Sequence, residues 1–364
     1  MPVPFSGQLT PNEIFGSQYN LIISIQALGG NIEDGFSSLV DRARVDGSLY
    51  GDTKLYVDTD VLKSYPWLGD NEAANLLNVH RPADPVTQAI KLEVFRQIPL
   101  TVDYYLSKRF WASEESFSTF AGILLAWLSD TKRVYDETTY NCFIGTHETS
   151  IGDQQQTVAL SGIITSVTTA DQEAENRLTG ELIAEKLANL FIALKRPTRL
   201  FNDNQFMKSF NMKSLIVVWN SKFANLVRKV GIPTIFHKDG LLDVYLSEEN
   251  VLPEEYFGTV NSAATAGDGS TVRSLIEQDI GTNHYFAGDL IDVADTAPAG
   301  TSYTVSDEII CKVIHKDAVP YMSAFQVGTS FFNANALLEN HYLTWGHNTL
   351  EHLAARPFIT VKAA

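Results

Sequence analysis

Cysteine is scarce: the 364 residues carry two, Cys142 and Cys311, too few for a disulfide framework or a thiolate metal site. Both lie in apolar surroundings that suit small buried thiols, which points to folding in a reducing, intracellular setting. Basic residues are also few, 27 Lys and Arg against 43 Asp and Glu, and the formal net charge of −16 is spread along the chain instead of gathered in a tail. Tight binding to a phosphate backbone is therefore disfavoured, because it depends on Lys and Arg displacing counterions. No uncharged apolar run approaches the ~20 residues that span a bilayer. The opening MPVPFSGQLTPNEIFGSQYN has neither the basic nor the apolar region of a signal peptide. The expectation is a protein neither embedded in a membrane nor exported by that route.

The motifs of nucleotide and acyl chemistry are missing as well. There is no G-x-G-x-x-G after a strand, no G-x-x-x-x-G-K-[ST] and no G-x-S-x-G elbow. The glycine-rich AGDGSTV lacks the lysine that would reach a phosphate and reads as a surface loop. The segment ENHYLTWGHNTLEH gathers Glu339, His341, His347, Glu351 and His352, but its intervals match no H-E-x-x-H pattern and fit neither one helical face nor strand alternation. Carboxylate pairs such as Asp239 with Asp243 and Asp289 with Asp292 are expected by chance among so many acids. Cys142 has His147 close by in sequence, yet a helix C-terminus raises a thiol's pKa, so burial is the expected role. No cofactor and no catalytic residue are assigned.

What the chain does have is apolar material, 45% of its residues, and one long helix. Ser113 suits an N-cap, Glu114 and Glu115 complement the helix dipole, and Gly145 offers a stop, giving a helix over 114–144. Phe117, Phe120, Leu124, Leu128, Thr131, Tyr135, Thr138 and Cys142 recur at three- and four-residue steps along it. Such a helix is roughly 45 Å long at about 1.5 Å per residue. Before it, TKLYVDTDVLKSY (53–65) and TQAIKLEVFRQIPLTVDYYLS (87–107) read as a long hairpin with an elaborate tip. After it come a second helix within DQEAENRLTGELIAEKLANLFIALKR closed by Pro197, a buried strand SLIVVWN and a third helix SKFANLVRKVG. Residues 232–311 are loop-rich with short strands, and the fold class is α+β.

This order resembles the major capsid (coat) proteins of tailed bacteriophages, which share the Hong Kong 97-like fold. TVDYYLSKRFWASEESFSTFAGILLAWLSDTKRVYDETTYNCFIG looks like the family's second hairpin strand running into its spine helix. SLIVVWNSKFANLVRKVG looks like the strand, Asn-containing turn and helix that lead from the peripheral to the axial domain. The stretch from CKVIHKDAV to ARPFITV is similar to the C-terminal return into the peripheral sheet.

The resemblance implies an N-terminal arm (1–52), an extended hairpin or E-loop (53–107), a peripheral domain (108–222 and 312–364) and an axial domain (223–311). It implies a non-enzymatic shell subunit forming hexamers and pentamers in the capsid of a virion, assembled in host cytoplasm. A separate scaffolding protein and a portal are implied, a decoration protein is possible, and packaged double-stranded DNA is only weakly contacted. The hairpin-tip residues Tyr65, Pro66, Trp67 and Leu68 are the candidate intersubunit contacts, being hazardous on a monomer. Lys54, Lys63 and Lys91 lie near the hairpin but match no crosslinking motif. An encapsulin-like cellular shell needs the same tile and stays open here, as does, more remotely, a carboxylate- or histidine-dependent hydrolase.

Overall fold

The computed structural model describes residues 38–46, 53–66, 79–103, 114–149, 152–160, 172–229, 250–262 and 269–364. Its longest element is α2, Glu114–Thr146, preceded in the chain by the short α1, Ser38–Ala43. Helix α2 runs two residues past the expected end. Gly145 does not stop it: a Cβ there would lie 2.1 Å from the Tyr256 carbonyl oxygen, so the glycine allows another backbone to approach closely. The expected stripe holds where side chains are described, with Leu128, Tyr135 and Cys142 buried. It is wider than apolar spacing suggests, because Lys132 and Asp136 are buried on the same helix and satisfy each other at 2.7 Å.

Helix α2 spans two five-stranded sheets. The first has the order β1 (Arg44–Asp46), β13 (Tyr321–Asn333), β14 (Leu338–Asn348), β3 (Val86–Asp103), β2 (Thr53–Asp58). The expected hairpin is present at its root, where β2 pairs antiparallel with residues 86–91 of β3. The rest of β3 pairs instead with β14, Leu100 opposite His341 and Arg96 opposite Trp345. An 18-residue strand that alternates along its length offers both edges, and a partner from the far end of the chain takes the second. Segment 38–46, read as arm from the sequence, lies on the body: Leu39, Val40 and Ala43 pack with Tyr140, Ile144 and Tyr321, and β1 runs parallel to β13.

The second sheet has the order β4 (Gln155–Val158), β15 (Phe358–Ala363), β12 (Ile309–His315), β5 (Leu215–Asn220), β6 (Val251–Leu252). Helix α3, Gln172–Lys195, ends two residues before Pro197 and packs on this sheet through Ile183, Leu187 and Leu194. Strand β5 passes directly into α4, Ser221–Lys229. Asn220 makes that junction: its side-chain oxygen accepts from Lys222 N at 3.0 Å and its amide donates to the Ile309 carbonyl at 3.0 Å. Among the described residues two small sheets follow, β7 (Gly258–Val260), β11 (Ser302–Val305) and β8 (Val272–Ser274), and β9 (Gln278–Ile280) with β10 (Asn283–Tyr285).

Candidate assembly surfaces

Large apolar residues left together in water mark surfaces that need a partner. Two hairpins carry groups of them, while others, such as Ile192, Leu200 and Val293, stand singly elsewhere on the described chain. On the first, Leu55, Val57, Val61, Leu62, Tyr65 and Val79 are all exposed, Leu62 by 76%. Tyr65 leans on His80 across the hairpin at 4.5 Å between ring centroids, which keeps an aromatic surface facing outwards. Pro66 is exposed beside it, while Trp67 and Leu68 lie outside the described residues. The second hairpin was not foreseen. Strands β13 and β14 meet at a tip carrying Phe331, Phe332 and Leu337, the first 64% exposed. Leu337 has φ 51°, a left-handed conformation that costs a leucine energy. The signal for it was FFNANALL, two aromatics against an Asn-rich turn.

The residues considered for chemistry are scattered and held in structural roles. His341 and Glu339 face each other at 3.8 Å on β14. His347 is buried with its ring nitrogens 2.7 Å from Tyr135 Oη and 2.8 Å from the Asn348 carbonyl. His352 pairs with the Arg356 carbonyl at 2.9 Å. Among the described residues no three His, Cys, Asp or Glu are placed to hold a metal ion. Asp289 and Asp292 each accept a backbone N–H within their own turns, and Asp239 and Asp243 lie outside the described residues. Cys142 points at Tyr303 Oη, 3.8 Å away, and burial pushes its thiol up to about 12, the wrong direction for a nucleophile.

Sequence reading missed a buried amine. Lys312, in the middle of β12, is fully buried, and Nζ donates to the His147 carbonyl at 2.9 Å and to Thr360 Oγ1 at 3.0 Å. Burial pushes this amine down to about 7, with Glu148 3.9 Å away opposing the shift. It ties the end of α2 to the second sheet.

Burial also fixes an acid response. His147, between Phe143 and Phe358, and His315, whose Nδ1 accepts the Asp317 N–H at 3.1 Å, are each held down to about 4, chiefly by desolvation. Both are neutral when folded, whereas the unfolded imidazole takes up a proton below its ordinary value of 6.5. The unfolded state then binds more protons, so the contribution of these two histidines is constant above pH 6.5 and lowers stability as pH drops from 6.5 towards 4. The expected loss is about 1–3 kcal/mol over that window, allowing for solvent screening. Denaturant midpoints measured against pH check it: His147→Gln with His315→Gln should flatten the slope, and an unchanged slope would refute this origin.

No protein-family model matches the chain, and no curated protein does. Solved structures do. A chain in the capsid structure of Staphylococcus phage Andhra superposes with a TM-score of 0.61 over 92% of this chain and 86% of that one, at 8% identity. A chain in the structure of the head fiber and inner core protein gp22 of native bacteriophage P68 gives 0.58 over 91% and 86%, at 9% identity. The likeness covers nearly the whole length and almost none of the letters. The chain has the α+β, Hong Kong 97-like fold of tailed-phage capsid proteins.

Proposed function

We propose that this protein is a major capsid subunit that self-assembles into the pentamers and hexamers of a closed viral shell around double-stranded DNA. The observation that carries the reading is the exposed apolar surface of the first hairpin and of the β13–β14 tip on a chain of capsid fold. In a shell these surfaces are covered by neighbouring copies; on a monomer they promote aggregation. The extended hairpin (53–107), the peripheral part (108–222 and 312–364) and the axial part (223–311) are then the pieces of one tile stiffened by α2. A separate scaffolding protein and a portal complete assembly in the host cytoplasm, and a net charge of −16 keeps contact with packaged DNA weak.

The test is electron microscopy with mass photometry on the purified protein, alone and coexpressed with candidate scaffolds. Closed shells or capsomer rings are expected. Replacing residues 61–82 with a short glycine turn should abolish closed shells while leaving the far-ultraviolet circular dichroism of the body unchanged. Normal closed particles from that variant would overturn the reading.

A further inference from the structure

The first hairpin leaves the body through a built receptacle. Loop 198–208 is closed by a two-way backbone bridge, Thr198 N to the Lys208 carbonyl at 2.8 Å and Lys208 N to the Thr198 carbonyl at 2.9 Å. Inside it Asn202, wholly buried, holds Phe206 through both of its polar atoms at 2.8 Å, and Gln205 turns the chain at φ 54°. The loop is therefore shaped before anything docks on it.

Two aspartates of the hairpin root sit in this loop. Asp58, the last residue of β2, accepts a short charge-assisted bond from Lys208 Nζ and a second from Asn204 Nδ2 at 2.7 Å. Asp60 accepts the Met207 N–H at 2.9 Å and pairs with Arg199 at 2.8 Å. Each carboxylate keeps only 13% of its side chain exposed. The other rail is held too: Gln88 of β3 donates to the His352 carbonyl at 2.9 Å and accepts the Ala354 N–H at 3.0 Å. Past Asp60, residues 61–66 and 79–85 are all exposed, so these are the last fixed points before the protrusion. At about 3.3 Å per extended residue, a small rotation at Asp60 displaces Pro66 through an arm of roughly 20 Å.

We propose that loop 198–208 sets the direction of the hairpin, with Asp58 and Asp60 as positioning residues that aim its apolar part at the neighbouring subunit. This rests on the capsid reading. Hydrophobic contacts can cover Leu62 and Tyr65 but, being non-directional, cannot aim them. Charged hydrogen bonds to a preformed loop do, because each has a narrow range of length and angle. In an acidic chain, paired carboxylates at the root also avoid leaving two negative charges against a surface that neighbouring copies approach.

The experiment uses the full chain. Asp58→Asn with Asp60→Asn keeps volume and removes both charges, and Lys208→Asp reverses one partner. Hydrogen exchange is followed at residues 53–60, with β12 as the internal reference, beside electron microscopy of the particles. Exchange at 53–60 should rise roughly ten- to a hundredfold with β12 unchanged, as expected when charge-assisted bonds at a local opening are lost. Closed shells should give way to irregular or open assemblies, and Asp58→Lys with Lys208→Asp should recover both readouts relative to Lys208→Asp alone. Unchanged exchange at 53–60 overturns the latch; looser exchange with normal shells overturns its positioning role. Absence of shells from the unaltered protein with every scaffold counts against the capsid reading and the positioning role together, and the exchange measurement then decides separately whether the latch exists.

Discussion

Gly145→Ala is expected to destabilise the protein by about 3 kcal/mol or more and to lower soluble yield sharply, although alanine is the better helix former. In an exposed helix interior the change would gain about 1 kcal/mol from propensity and reduced chain entropy. At this position the new methyl would stand 2.1 Å from the Tyr256 carbonyl oxygen and 2.7 Å from its carbon. The obstacle is backbone, so no side-chain rotation relieves it; α2 or the segment 254–257 must move. Both are pinned, α2 by Tyr140 Oη on the Val319 carbonyl at 3.1 Å and the 254–257 segment by buried Phe257 and by the Tyr303 hydroxyl donating to the Glu255 carbonyl at 2.8 Å. Gly328→Ala is the matched control, since nothing lies within 4 Å of its added methyl, and it should shift the midpoint by no more than about 0.5 kcal/mol. Urea unfolding of the two variants side by side checks the pair, and equal midpoints would show that the helix end yields.

Gly145 also shows where sequence reading stops. Its place after an apolar stripe reads correctly as the neighbourhood of a helix end, and α2 indeed closes one residue later, at Thr146. The reason for the glycine is a close approach from residue 256, which no local pattern records. Local rules did well where the determinant is local, as at Pro197 beyond α3, and the resemblance supplied the Asn220 turn from β5 into α4. They failed where the partner is distant. Alternation in 87–107 announced a strand, but Thr101 and Asn340, bonded across the sheet, are 239 positions apart, and nothing near either names the other. The candidate surface divides the same way. Tyr65 and Pro66 were named as apolar residues at a hairpin tip and are exposed, whereas Phe331 and Phe332 were given no role from the sequence and are exposed at the β13–β14 tip. Asp58 and Asp60 were unreadable, because two acids among 43 carry no mark of their partners.

Asp136→Ala should cost about 3–5 kcal/mol, the range for breaking a buried ion pair from one side. This carboxylate is 1% exposed and accepts from Lys132 Nζ at 2.7 Å, from the Tyr321 hydroxyl at 2.5 Å and from Arg44 at 3.4 Å, joining α2, β13 and the segment 38–46. Removing it strands an ammonium and a hydroxyl that the fold keeps from water. Burial, reinforced by Asp136, already holds the Tyr321 hydroxyl protonated, so its proton must be donated somewhere. The three-way nature of the site makes the loss local as well as global: hydrogen exchange at 38–46 should accelerate before that of β12, since Arg44 loses one of its two carboxylates and β1 hangs on three paired residues. The decisive comparison replaces the whole polar set by apolar groups of similar size, Lys132→Met, Asp136→Leu and Tyr321→Phe together. Desolvation is then removed along with attraction, and most of the lost stability should return. If the triple variant is as unstable as Asp136→Ala, attraction outweighs desolvation here and the network is a net source of stability. If it recovers while 38–46 still exchanges freely, the charges serve to fix where the N-terminal segment meets the spine helix.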